Sequence, residues 1–146
     1  MKDKNLNKLM AELDNWFNLD YDANAYRGGD ERGRWRGNHP DNVSTDIPVY
    51  TEDDSATDRV IRGLTRAEQT TAAYELSKMA TNSGVYVGAF IISAETRDKC
   101  IVALLAKGRL FRCKVCKDHL DCLHMSPQHG VCEKCEGKLV HNMDMD

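Results

Sequence analysis

The chain has 146 residues, 41% of them hydrophobic, with 20 Lys and Arg against 23 Asp and Glu. That is enough for one compact domain, or for a smaller core with an extension. A formal net charge of −3 supplies no global field to draw the chain onto nucleic acid or an anionic membrane, and no run approaches the roughly 18 apolar residues of a membrane-spanning helix.

The opening residues MKDKNLNKLMAELDNWF lack the apolar core and small-residue cleavage site of a signal peptide. The expectation is a cytoplasmic protein with no membrane partner. In that reducing compartment, six cysteines point to metal or catalysis rather than to a disulfide framework. Charge is uneven along the chain: residues 1–60 carry eight basic and thirteen acidic side chains, the remainder twelve and ten.

Residues 5–18 are the first periodic segment. Leu6, Leu9, Met10, Leu13, Trp16 and Phe17 recur at spacings of three and four, which predicts an amphipathic helix over 1–18. Its stripe serves either its own core or a partner. Residues 19–57 show no sustained period and are rich in Gly, Asp, Asn, Ser and Thr, with two of the three prolines. This composition predicts a flexible linker or arm.

Within that segment, Tyr26-Arg27-Gly28-Gly29 and Arg32-Gly33-Arg34-Trp35-Arg36-Gly37 have the make-up of a short arginine/glycine arm. Arg and aromatic residues on a mobile backbone suit stacking on unpaired bases, although a plain loop has the same composition. The acidic run from Asp41 to Asp58, with Glu52-Asp53-Asp54, instead fits a segment that folds onto a protein partner.

Order resumes near residue 58. Thr65-Arg66-Ala67-Glu68 reads as a capping box opening a helix that runs to about residue 80, with Asn82-Ser83-Gly84 as its stop. GVYVGAFIIS follows, read as a buried strand or a close-packed helix. Ser93 reads as the N-cap of a further helix with Ile101, Leu104 and Leu105 on its buried face and Gly108 past its end; Cys100 reads as a buried apolar residue. Leu110-Phe111 reads as a short strand. Residues 58–108 thus form a helical core and 109–146 a separate cysteine-rich segment.

That segment holds two C-x2-C pairs, Cys113/Cys116 and Cys132/Cys135, separated by fifteen residues. Zinc takes four soft ligands tetrahedrally, and each C-x2-C turn supplies two thiolates on a tight knuckle. One structural Zn2+ held by Cys113, Cys116, Cys132 and Cys135 is therefore expected, stabilising a segment with too few apolar residues to fold alone. A dithiol redox pair and an iron–sulfur cluster are the rival uses of these thiols. Cys122, His124, His129 and His141 form a candidate second metal set, while these residues and His119 read equally well as parts of a polar loop.

The cysteine segment resembles the C-terminal finger of the TraR/DksA family of bacterial transcription regulators. Leu120 follows Cys116 by four, Leu123 precedes Pro127 by four and Cys132 follows Pro127 by five, as in that finger. The loop is two residues shorter than in the family, and Cys122 stands where the family carries Arg. The resemblance covers residues 113–135; the family's long coiled-coil hairpin with its acidic tip is not recognisable in this chain. It implies a zinc finger and RNA polymerase as a partner.

Arg97, Lys99, Lys107, Arg109, Arg112, Lys114 and Lys117 make a basic stretch opposed only by Asp98. They read either as a surface for a phosphate backbone or as a solvated helix face with ordinary knuckle lysines. A zinc enzyme is the third class, but four cysteines close the shell, and H-E-x-x-H, phosphate-loop and nucleophile-elbow motifs are lacking.

The fold expected is α+β, mainly helical, with a C-terminal four-cysteine zinc finger and a flexible N-terminal region. The expected function is a non-catalytic zinc-finger regulator binding nucleic acid or the transcription machinery. The alternative is a protein-interaction or inhibitor module, in the style of a phage accessory protein, with purely structural zinc.

Overall fold

The structure is a computed structural model that describes residues 3–28, 31–83, 94–112 and 123–124. Among them are four helices: α1 (Asp3–Leu13), α2 (Asp54–Arg62), α3 (Arg66–Ser83) and α4 (Thr96–Ala106). Strands β1 (Phe17–Gly28) and β2 (Glu31–Asn38) form an antiparallel hairpin, and β3 (Phe111–Arg112) pairs antiparallel with β4 (Leu123–His124). The described fold is α+β and about half helical.

α4 occupies the centre. Five consecutive residues, Cys100 to Leu104, are buried, so this helix presents no solvent face along its middle turns. A helix apolar all round must be covered all round, and α1, α2 and α3 all pack against it. α1 contributes Leu6, Met10 and Ala11, α2 contributes Ala56 and Val60, and α3 contributes Ala72, Leu76 and Met79 at helical spacing. Ile47, Tyr50, Leu64 and Leu110 close the core.

The helix ends follow local chemistry. Asn15 and Gly108 both have left-handed φ, at 71° and 70°. Asn15 N–H donates to Glu12 O and Trp16 N–H to Ala11 O, while Gly108 N–H donates to Leu105 O and Arg109 N–H to Leu104 O. These are paired 5→2 and 6→1 bonds that end α1 and α4 in the same way. The Thr65–Glu68 capping box is present as expected: Thr65 N–H donates to Glu68 Oε1 (2.9 Å) and Glu68 N–H to Thr65 Oγ1 (3.2 Å).

Several expectations are corrected. The first helix stops at Leu13 rather than reaching residue 18, because Asn15 adopts the left-handed turn. Trp16 still reaches the core, but Phe17 opens β1 and is 49% exposed. The segment 19–57, expected to be a linker, holds most of the hairpin and the start of α2. Backbone bonds order it: Gly37 N–H donates to Thr45 O and Ile47 N–H to Trp35 O. Asn7 of α1 exchanges bonds with Thr51, its Nδ2 donating to Thr51 Oγ1 (3.1 Å) and its Oδ1 accepting from Thr51 N–H (3.1 Å). The cap of α4 is Glu95, without a side-chain cap bond. Ser93, like all of GVYVGAFIIS, lies outside the described residues.

Cys100 is fully buried, and loss of hydration pushes its thiol up to about 12. A thiolate is the species that alkylates. Cys100 is accordingly expected to resist iodoacetamide in the native chain and to react on denaturation, checked by peptide mass spectrometry. Leu104→Ala is expected to cost about 2–5 kcal/mol in denaturant melts, since the site is enclosed by three helices.

Candidate functional site

The four thiols expected to hold zinc, Cys113, Cys116, Cys132 and Cys135, lie outside the described residues, as do Lys114, Lys117, His119, Cys122, His129 and His141. What the structure does describe is the frame on either side of the first knuckle. Leu110 is anchored in the core, 1% exposed, and its N–H donates to Leu104 O (3.3 Å). From there the chain passes directly into β3, where Phe111 pairs with His124 and Arg112 with Leu123. The ten residues between these strands include Cys113, Cys116, His119 and Cys122.

The helical part of the basic stretch is drawn into the fold. Arg97 Nε donates to Asp3 Oδ1 of α1 at 2.8 Å. Lys99 Nζ reaches Asp54 Oδ1 (3.0 Å) and Asp58 Oδ1 (3.5 Å) of α2. Lys107 Nζ reaches Glu68 Oε2 of α3 at 3.1 Å. α4 is therefore fastened to each of its three neighbours by one cation. Arg109 is exposed and forms no ion pair among the described residues.

The titration of these carboxylates reflects the pairing. The hydrogen bond from Lys99 holds Asp54 below its ordinary range, and the Thr65 backbone N–H followed by Lys107 does the same for Glu68. Lys99 is raised in return, chiefly by Asp54. Asp98 departs the other way: burial, then the charge of Glu95, raises its carboxyl.

Arg32, Arg34 and Arg36 of the Arg-Gly segment are also engaged. Arg34 donates through Nε (3.2 Å) and Nη2 (2.9 Å) to Ile47 O. Arg36 approaches Asp46 (3.4 Å) and Asp22 (3.8 Å). Arg32 lies over the Tyr26 ring at 5.1 Å, near the hairpin end. The acidic run likewise has local uses: Asp53 caps α2 by accepting from Ala56 N–H (3.0 Å), and Asp54 serves Lys99 and Thr96.

A polar cluster joins the end of α1 to α2. Tyr50 Oη donates to Asp14 Oδ2 (2.5 Å) and accepts from Trp16 Nε1 (3.1 Å), while Arg59 Nη2 donates to the same carboxylate oxygen (2.7 Å). Burial, reinforced by Asp14, pushes the Tyr50 phenol far above its ordinary value, so it remains a protonated donor. Asp41 N–H donates to His39 Nδ1 (3.0 Å), which places the ring proton on Nε2 to donate to Asp14 O (2.8 Å). Asp14, Trp16, His39 and Arg59 line an open cleft of about 360 Å³. Asp14 gathers Tyr50 and Arg59 at its carboxylate and His39 at its carbonyl, so the cluster serves as a clamp.

A surface that the sequence pattern does not single out lies between α1 and the hairpin. Tyr21 and Trp35 face each other across β1 and β2, packed edge to face with centroids 5.2 Å apart. Lys4 Nζ sits 4.1 Å from the Tyr21 centroid and 5.9 Å from that of Trp35, and Lys8 Nζ sits 5.6 Å from Trp35. The available signal was Lys4 and Lys8 at a four-residue interval on a helix; the hairpin that brings Trp35 to them was hidden in an aperiodic segment.

Compared with protein-family models, with curated proteins and with solved structures, the chain shows no match. Among the described residues no helix is long and apolar enough to cross a membrane.

The stability supplied by a carboxyl held below its unfolded value is present above about pH 4 and lost as pH falls through the folded value. Because Asp54 owes its shift first to Lys99, Lys99→Met is expected to flatten the fall in melting temperature between about pH 6 and about pH 3. Melts recorded across that range check this.

Proposed function

We propose that the chain is a non-catalytic zinc-finger regulatory protein of the cytoplasm, whose four-cysteine segment carries a structural Zn2+ and which binds nucleic acid or the transcription machinery. The single observation supporting the target is the partition of its cations. Arg97, Lys99 and Lys107 are paired within the helical body, whereas Arg109 forms no ion pair among the described residues where the chain leaves that body. Arg112, Lys114 and Lys117 follow it around the first C-x2-C pair. The likeness of residues 113–135 to the TraR/DksA finger supports the same class.

In this reading Cys113, Cys116, Cys132 and Cys135 are the ligands, and zinc supplies folding free energy rather than a reactive centre. The cations beside the first knuckle meet phosphates, an interaction whose strength falls with salt. Cys122, with His124, His129 and His141, remains the candidate set for a second metal.

A second reading is a protein-interaction or inhibitor module, of the kind a phage accessory protein provides. It draws on Tyr74, 59% exposed on α3, and on the exposed acidic residues Asp41, Asp46, Glu52 and Asp53. Salt-sensitive binding separates the two: nucleic acid released between low and physiological salt favours the first, and none bound at low salt favours the second.

Metal analysis of the purified chain is expected to give one zinc, and Cys113→Ser to lose it with unfolding of the C-terminal segment alone. A fully folded, metal-free Cys113→Ser variant would refute the ligand assignment. Two zincs, one lost with Cys122→Ser, would establish the second set.

A further inference from the structure

Lys4 and Lys8 differ from the paired cations of α4 described above. They lie one turn apart on α1, both exposed, and neither forms an ion pair among the described residues. Each is instead held against an aromatic ring of the hairpin. A ring quadrupole attracts an ammonium only weakly at an exposed site and does not cancel its charge. Two positive charges therefore stay available beside two half-buried rings.

The arrangement is built rather than incidental. Trp35 Nε1 donates to Lys4 O (2.9 Å), tying the hairpin to the backbone of α1 beneath these lysines. Gly33, at φ +104°, leaves room for Tyr21, since a Cβ there would collide with the Tyr21 hydroxyl. Farther along the hairpin, Arg32 over Tyr26, a ring 62% exposed, forms another cation–aromatic pair. The crevice beneath Lys4, Tyr21 and Trp35 holds about 40 Å³, too small for a base, so a ligand lies across this face rather than in it.

We propose that the face formed by Lys4, Lys8, Tyr21 and Trp35 binds single-stranded nucleic acid. The inference rests on the nucleic-acid reading above and adds strandedness and a second contact surface to it. Free ammonium groups next to aromatic rings match a strand whose phosphates and base faces are both accessible. In a duplex the base faces are stacked on one another, and only the phosphates remain for the lysines. An acidic peptide would engage the lysines and leave the rings idle.

The test uses the full, zinc-loaded chain and anisotropy of labelled oligo(dT), with a duplex of equal length as control, at low and physiological salt. The Lys4→Gln/Lys8→Gln variant is expected to bind oligo(dT) on the order of tenfold more weakly at low salt. Its log–log salt slope is expected to fall by about 1.4, at about 0.7 for each of the two phosphates no longer neutralised. Duplex affinity changes less. Oligo(dT) is also expected to quench tryptophan emission, and Trp35→Phe to abolish most of that quenching, because Trp16 is buried.

An Arg109→Gln/Lys114→Gln/Lys117→Gln variant separates the two readings. If it loses binding while Lys4→Gln/Lys8→Gln keeps wild-type affinity and slope, the α1–hairpin surface is refuted and the regulatory reading stands. A wild-type chain that binds neither probe overturns both. Binding of poly-glutamate, but not oligo(dT), that depends on Lys4 and Lys8 also overturns the proposal and makes this face a protein contact.

Discussion

The burial of α4 on every side is the constraint from which the rest of the structure follows. Cys100 to Leu104 leave no solvent face along its middle turns, so several elements must surround it, and α1, α2 and α3 do so. Each buried aliphatic side chain is worth roughly 1.5–3 kcal/mol, which makes this packing the largest organised source of stability described. The ion pairs from Arg97, Lys99 and Lys107 lie at its edges. They are partly exposed and individually weak, but each cation joins α4 to a different helix, so together they favour one arrangement of the neighbours.

Around this apolar centre the irregular segments are held mainly by polar groups. Asn7 fixes Thr51, and Thr57 Oγ1 donates to Tyr50 O (2.7 Å) from a fully buried position. Tyr50, Trp16, Arg59 and Asp14 share one cluster, and Arg34 secures Ile47. Buried donors and acceptors that find partners cost little, whereas removing one partner strands the other. An aperiodic, Gly- and Asp-rich stretch can therefore be ordered without a hydrophobic pattern of its own.

The same pairing redistributes charges that lie together in the sequence. Seven basic residues between 97 and 117 look like one stretch in the sequence, but Arg97, Lys99 and Lys107 are matched by carboxylates from distant segments. The acidic run is divided in the same way, with Asp53 at a helix cap and Asp54 beside Lys99. Among the described residues, Arg109 at the exit from the core and the pair Lys4 and Lys8 over Tyr21 and Trp35 are cations without a carboxylate partner, as are the exposed Arg62 and Arg66. A cation without a carboxylate partner is a better candidate for a phosphate than one already bound, because it gives up no internal ion pair.

Much of the helical architecture was legible locally. The capping box at Thr65, the stop at Gly108, the burial of Cys100 and the apolar stripe of Leu6 and Met10 all depend on neighbours within a turn or two, where spacing and residue type determine conformation. The C-x2-C pairs are a signal of the same local kind, and they lie outside the described residues. The hairpin was not, since β1 and β2 are stabilised by bonds to each other and to residues 45–47, and their alternation is broken by bulges. α2 was missed because its first half lies inside the Asp-, Ser- and Thr-rich stretch read as a linker, although Ala56, Thr57 and Val60 share one helical face. Sequence alone determined the capping box at Thr65, the stop at Gly108 and the apolar stripe of α1; tertiary structure decided which charges are neutralised and which aromatics meet free lysines, because those pairings join segments many residues apart and depend on folded geometry.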